Sequence, residues 1–320
     1  MYTLSFINRF SLLLLIYSLQ CPVFSLYAQM KDSVITNEPV ISLSEIEVNG
    51  YLNPQPFLQT PVSVGLINKE ELEIQSTVSL LPAMNSIPSV RMEERSPGSY
   101  RLSIRGSLVR SPYGVRNIKV YYNDFALTDA GGNTYLNVLN VSDIAGVEIL
   151  KGPDGSLFGA NSGGVVLLQS NTDTLPALDV NVFGGSFGLA GYSFNLARNA
   201  GKHFFTVKQS YIRSDGYRQN TRNHRFFIQF SDRWNYHAGN FLEAFIFYSD
   251  LRYRTPGGLT EEQYKENPEQ ARPPTATMPG SVEQKTNIIT RMPFAGIRHH
   301  GRLSANLSHT LSLWYNHVDF

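Results

Sequence analysis

Residues 147–170, VEILKGPDGSLFGANSGGVVLLQS, constrain the fold more than any other stretch of the chain. They predict a short strand over 147–150, a break at Gly152-Pro153, and a turn through Asp154-Gly155-Ser156 in which Asp154 caps one helical turn closed by Gly159. A second break at Ser162-Gly163-Gly164 delivers the apolar run from Val165 to Leu168. Four consecutive aliphatic residues bounded by glycine read as a strand buried on both faces. The corners are glycine because glycine alone accepts positive φ freely. The stretch is therefore packed interior with sharp turns.

So many glycines beside a lysine also raise the possibility of a phosphate loop, which needs G-x-x-x-x-G-K-[ST] between a strand and a helix. Here Lys151 precedes the glycines and no lysine follows them, so the order is wrong. The order of residues instead resembles the end of the plug domain of TonB-dependent outer-membrane receptors. That pattern has an acidic residue in a strand, Lys-Gly-Pro, Leu-Tyr-Gly, Gly-Gly and an apolar strand. Here these are Glu148, Lys151-Gly152-Pro153, Leu157-Phe158-Gly159, Gly163-Gly164 and Val165 to Leu168, with Phe158 in place of the tyrosine. The resemblance implies an α+β plug domain followed by antiparallel strands of a transmembrane β-barrel.

The first residues fit export. Residues 1–28 carry no acid and one base, Arg9, before a hydrophobic run over 10–19 too short to span a bilayer as a helix. They read as a signal peptide cleaved after Ala28, with Ser25 a competing site and Cys21 a less suitable lipid-attachment site because bulky Gln20 precedes it. Cleavage after Ala28 leaves no cysteine, and 26 basic against 26 acidic residues. Thiol chemistry and a basic field for nucleic acid are both excluded on that reading.

Residues 29–43 are polar and aperiodic, a leader. Over 43–50, LSEIEVNG alternates, with Ile46 and Val48 opposite Glu45 and Glu47. Geometry alone makes this an edge strand of a small domain. The resemblance makes Glu45, Ile46, Glu47 and Val48 a candidate TonB box, which a TonB-type inner-membrane energy-coupling protein takes up as an added strand.

The plug is expected over 51–172. Asn68 and Glu71 have capping-box spacing, and a second helix over 78–84 should be shortened or kinked by Pro82. Ser89 stands where the family tends to have glycine in a tight turn. Residues 100–106, YRLSIRG, form a strand with Leu102 and Ile104 on one face, ending at Arg105-Gly106 where plugs carry Ile-Arg-Gly. A buried arginine inside a barrel needs an opposite charge, so Arg105, Glu148 and Lys151 are expected to pair with each other or with the wall. Asn123-Asp124 is a turn between strands, both residues tolerating left-handed geometry. Asp129, Gly131, Gly132 and Asn133 belong to a flexible loop, a candidate ligand-facing apex.

Beyond residue 173 the texture alternates strictly. Val180 and Val182 share one parity, as do Tyr192, Phe194 and Leu196; Phe205 and Val207; Phe226, Ile228 and Phe230; and Leu242, Ala244, Ile246 and Tyr248. Leu303, Ala305, Leu307, Leu311, Leu313 and Tyr315 repeat the pattern late in the chain. Phe204, Tyr211, Tyr217, Trp234, Tyr236, Phe241 and Tyr253 lie near strand ends, as in the aromatic girdles of membrane barrels. A long connection over 252–284 holds five prolines, with Thr260 and Gln263 spaced to cap a short helix.

Residues 173–320 supply roughly six to eight strands, against about 22 in receptors that enclose a plug. The expectation is an incomplete barrel, the N-terminal part of a longer receptor in the outer membrane, in contact with lipid. All seven histidines lie after residue 200, and His299 and His300 would point to opposite faces of a strand, so no metal triad, cofactor or catalytic signature is expected. The simplest reading is energy-coupled uptake of an iron-siderophore complex. The alternatives are a cobalamin or glycan receptor, and a truncated plug-like binding fragment without transport. A sheet with two bare edges and a lipid-facing surface should not survive in water. The 320-residue chain, expressed without detergent, should therefore aggregate; a soluble, cooperatively melting monomer would contradict this.

Overall fold

A computed structural model describes residues 47–48, 50, 55–76, 78–96, 98–107, 114–159, 163–170 and 176–320. A mixed N-terminal domain is followed by a wall of long antiparallel strands. The domain opens with a two-residue ladder in which β1 (Glu47–Val48) pairs with β2 (Gln55–Pro56). Its centre is a five-stranded sheet in the order β3 (Val64–Ile67), β8 (Ile144–Lys151), β9 (Gly164–Ser170), β6 (Ile118–Tyr122), β7 (Phe125–Ala126). Only β6 and β9 run parallel; the other pairs are antiparallel. A separate hairpin joins β4 (Val90–Ser96) to β5 (Ser99–Ile104).

β9 is the middle strand, and Val165, Val166, Leu167 and Leu168 are all buried as expected. Val166 and Leu168 enter the main core, whereas Val165 and Leu167 pack with Leu150 on the other face. Gly164, at φ +127°, lets β9 begin directly against β8: a Cβ there would stand 2.3 Å from the Leu150 carbonyl oxygen. The turn before it is a 3-10 helix over Pro153–Phe158, closed by Gly159 donating to the Ser156 carbonyl at 2.9 Å. Asp154 does not cap it. Gly152, at φ +86°, is the N-cap residue, and Pro153 in the first turn has no amide proton to satisfy, which leaves Asp154 inside the turn.

Helix α1 (Lys69–Gln75) begins with a complete capping box: Glu71 N donates to Asn68 Oδ1 at 2.8 Å, and Asn68 N to the Glu71 carboxylate at 3.0 Å. Helix α2 (Leu81–Asn85) starts later than the sequence predicts, because Pro82 fits only its first turn. Ser89 keeps the left-handed turn at φ 66° despite its Cβ. Asn123 and Asp124, at φ 49° and 68°, make the tight β6–β7 turn.

The wall has seven strands in sequence order: β10 (Ala177–Gly184), β11 (Ala190–Ala200), β12 (His203–Ser214), β13 (Asn223–His237), β14 (Asn240–Arg254), β15 (Asn287–Ser304) and β16 (Leu307–Asn316). β10 and β16 are open edges, so the sheet does not close. One end carries short turns near residues 201, 239 and 305; the other carries every long connection, including the segment with α3 (Glu261–Glu266). That asymmetry is characteristic of outer-membrane barrels. No helix among the described residues is long and apolar enough to cross a membrane, which says nothing of strands.

Outward parity follows the sequence reading: Val180, Val182, Ile228, Phe230, Ile246, Tyr248, Leu311 and Leu313 are exposed. The inward positions of the wall are not uniformly polar. Phe227, Phe245, Phe247, Met292 and Phe294 are buried in the same core as Tyr122 and Phe125 of the N-terminal domain. Phe204 and Tyr253 are likewise buried, and Phe241 lies under the Arg233 and Arg298 guanidinium groups, so none of these three joins an outer girdle. Trp234 and Tyr236 do lie on the outer face, with Trp234 exposed.

Gly164→Ala should lower stability by roughly 1–3 kcal/mol from backbone strain alone, with the clash against rigid backbone added. Gly159→Ala should cost less, since its nearest neighbour is the mobile end of Lys119. Thermal unfolding in detergent checks the ranking; equal losses would contradict it.

Candidate functional site

The wall holds the N-terminal domain through donors that complete its irregular backbone. Residues 136–143 form two short 3-10 turns, Leu136–Val138 and Val141–Asp143, whose carbonyls lack full internal partners. Arg225 Nη1 donates to Asn137 O at 3.2 Å, Ser249 Oγ to Val138 O at 2.8 Å, and Lys208 Nζ to Asp143 O at 3.2 Å. Arg225 Nη2 also reaches Asn140 Oδ1 at 3.4 Å. Tyr122, whose phenol burial holds well above its usual pKa, donates to Gln229 Oε1 at 2.7 Å. Near the short-turn end Arg298 bridges Asp124 of the β6–β7 turn and Glu243 of the wall, the latter at 2.6 Å.

Above this seam, towards the long connections, lies a cavity of about 310 Å³. The β4–β5 hairpin forms one side, through Glu94 and Tyr100. The wall and its connections form the other, through Phe187, Tyr217, Asn223 and Arg225. Arg225 is only 6% exposed, yet its Nε makes no hydrogen bond with any described residue, and neither does Asn223 Oδ1. A partly aromatic chamber with one buried cationic donor and one buried acceptor suits a small ligand carrying an apolar body and an acceptor group. The connections above it are tied together: Arg218 donates to the carbonyls of Gly257 and Gln270, and Asn220 Nδ2 to Thr255 O.

The structure places the sequence-predicted residues as follows. Glu45 and Ile46 lie outside the described residues; Glu47 and Val48 form β1, with Val48 fully buried. Arg105 is exposed at φ 51°, its Nη1 3.0 Å from where a Cβ of Gly152 would stand. Glu148 and Lys151 are buried. Among the described residues no ion pair joins Arg105 and Lys151. Arg105 faces Lys151 as a like charge, and burial first, then that charge, push the Lys151 ammonium below its usual pKa. The left-handed turn at Arg105-Gly106 leaves the arginine lying over Gly152. Gly106 opens into free space, Gly159 lies under Lys119, and Gly163 packs where a Cβ would sit 2.5 Å from Asn117 O.

The loop holding Asp129, Gly131, Gly132 and Asn133 is not loose. Asp129 N donates to Asn133 O at 2.9 Å, Asn133 N to Asp129 Oδ1 at 2.9 Å, and Arg116 Nε to Asn133 Oδ1 at 2.6 Å. Two paired backbone and side-chain bonds close it into a stapled turn with Gly131 exposed at the tip. Sequence reading missed Arg225, Lys208 and Ser249, which lie on β13, β12 and β14. Their one signal was inward parity.

Asp143 links the seam to pH. Burial pushes its carboxyl above the usual carboxylate range, with the Lys208 charge, Asn140 and Arg225 pulling it partway back. A carboxyl whose folded pKa is raised binds its proton more tightly in the folded state. Its contribution is therefore full below the unfolded pKa of about 3.9 and is lost as pH rises through the folded value. Asp143→Asn should flatten the dependence of thermal stability on pH above about 4, where the unfolded carboxyl has lost its proton and the folded one is raised; an unchanged slope would count against this.

Comparison with known proteins agrees with this architecture. The family model "TonB-dependent Receptor Plug Domain" matches residues 56–166. A vitamin B12 transporter of Vibrio vulnificus (strain CMCP6) is 24% identical over 183 residues, covering 57% of this chain and 28% of the transporter. Among solved structures, the unliganded ferric citrate transporter FecA superposes with a TM-score of 0.65 at 13% identity, covering 81% of this chain and 40% of that one. FpvA of P. aeruginosa, in a complex with a heterologous pyoverdine and iron, gives 0.63 at 13% identity, covering 84% and 36%. The chain thus spans well under half the length of these relatives. Residues 56–166 are a TonB-dependent receptor plug domain, and the strands that follow are part of the barrel wall of that receptor fold.

Proposed function

We propose that this chain acts in energy-coupled uptake of a scarce ligand across the outer membrane. The observation that carries this reading is a folded plug seated on the inner face of the wall: wall side chains complete its backbone, as Arg225, Lys208 and Ser249 do for residues 137–143. A passive pore needs an open lumen, whereas a plug held this way must be moved for passage.

In this reading residues 1–28 direct export, residues 29–50 form a leader, the plug runs over 51–172, and the wall begins at 173. The wall would continue through further strands that cover its open edges. Glu45, Ile46, Glu47 and Val48 are the proposed TonB box. β1 is paired over only two residues, so a TonB-type protein in the inner membrane could exchange that short ladder for a strand in its own sheet. The hairpin-side cavity and the stapled turn at Asp129 and Asn133 both lie towards the long connections and are the proposed ligand-facing surfaces.

An iron-siderophore complex is the favoured ligand, supported by the fold shared with ferric citrate and pyoverdine receptors. The chelator would supply the iron ligands, so the protein needs none. Cobalamin is the second reading, favoured by the similarity to a vitamin B12 transporter.

Cells lacking their own receptors and expressing this gene should accumulate one of two labelled ligands, ferric siderophore or cobalamin, and deleting residues 45–48 should abolish accumulation while sparing surface binding. Accumulation of neither, or accumulation insensitive to that deletion and to collapse of the proton-motive force, would refute the proposal.

A further inference from the structure

His299 on β15 and His309 on β16 lie on the outer face near the short-turn end, between the exposed Ile297, Leu311 and Leu313 on one side and Leu303 and Leu307 on the other. Their rings converge. His299 Nδ1 stands 3.1 Å from His309 Nε2, with ring centroids 5.1 Å apart. The residue between them explains how. Gly301 pairs directly with His309 across the ladder, and a Cβ there would come within 2.4 Å of His309 Cε1 and 3.1 Å of His299 Cε1. Glycine at this place clears the floor on which both imidazoles meet.

The remaining nitrogen of His299 is also held. Nε2 lies 2.6 Å from the Tyr236 hydroxyl, and the two rings stack with centroids 5.9 Å apart. Ligating histidines are oriented in this way, one nitrogen on the ion and the other donating to a fixed acceptor.

We propose that His299 Nδ1 and His309 Nε2 chelate a divalent cation of borderline softness: Cu²⁺, Ni²⁺ or Zn²⁺. With metal–nitrogen bonds of about 2.0–2.1 Å, their present separation closes an angle of roughly 100° at the ion, a normal value between neighbouring ligands. In the bound form His299 carries its proton on Nε2, donating to Tyr236, and His309 carries its proton on Nδ1, which leaves the lone pairs of His299 Nδ1 and His309 Nε2 to the ion. Among the described residues no group of three or more His, Cys, Asp or Glu side chains could hold a metal, so the other positions belong to water or to oxygen of lipid headgroups. A two-nitrogen site orders first-row divalent metals with Cu²⁺ tightest. Bound there, the ion clips β15 to β16.

The test uses the full chain without a histidine tag, in detergent micelles, titrated with Cu²⁺ by calorimetry and observed by electron paramagnetic resonance. The native chain should bind one Cu²⁺ with hyperfine structure from two imidazole nitrogens. His309→Gln should lose that signal, and Tyr236→Phe should keep it with affinity reduced roughly tenfold. A native spectrum without paired imidazole ligation would overturn the proposal without recourse to any variant. So would undiminished Cu²⁺ binding by a folded chain carrying both His299→Gln and His309→Gln.

Discussion

The structure depends on one buried contact, the packing of Tyr122 and Phe125 at the β6–β7 turn into a nest of Phe227, Phe245, Phe247 and Phe294 on the wall. Phe125 stacks on Phe245 at 5.5 Å, Phe247 stacks on Phe294 at 4.9 Å, and Tyr122 meets Phe245 and Phe247 edge-on. Rings of this size each bury 150–250 Å² by typical figures, roughly enough to dominate an interface. Gly296 supports the contact by its bareness, since a Cβ there would meet the Phe125 ring at 2.7 Å. Plug and wall thus share a core instead of merely touching.

Around that apolar centre the polar seam has a clear logic. Buried carbonyls must be satisfied, and residues 136–143, lying in neither a ladder nor a long helix, cannot satisfy their own. Arg225, Ser249 and Lys208 do so from 65 to 111 residues away. A charge held in low dielectric is stabilised only when well partnered, which Arg298 achieves with two carboxylates at the short-turn end. Any displacement of the plug against the wall would have to break these charge-assisted contacts at the seam.

Much of this was legible in the sequence because it is local. The capping boxes at Asn68 and Thr260, the left-handed turn at Asn123-Asp124, the buried run from Val165 to Leu168 and the outward parity of the wall each follow from a few neighbouring residues. The inward aromatics were harder to read because the alternation was followed on the outward positions. Phe226-Phe227 and Phe245-Ile246-Phe247 break the alternation, and a strand apolar on both faces is one with protein behind it. The placement of Arg105 was not legible for a different reason: its strand ends in a left-handed residue, and the guanidinium lies over Gly152. Asp129 and Asn133 looked like a loose apex because glycine-rich composition does not show that the two side chains flanking it staple it shut.

The claim that plug and wall form a single core is tested most directly by hydrogen exchange on the full chain in lipid nanodiscs. Amides of β6 and of residues 136–144 should exchange with the same slow opening as β13 and β14, because the same rings cover both. If the plug exchanges much faster, while the wall stays protected, the two fold independently and the account is wrong.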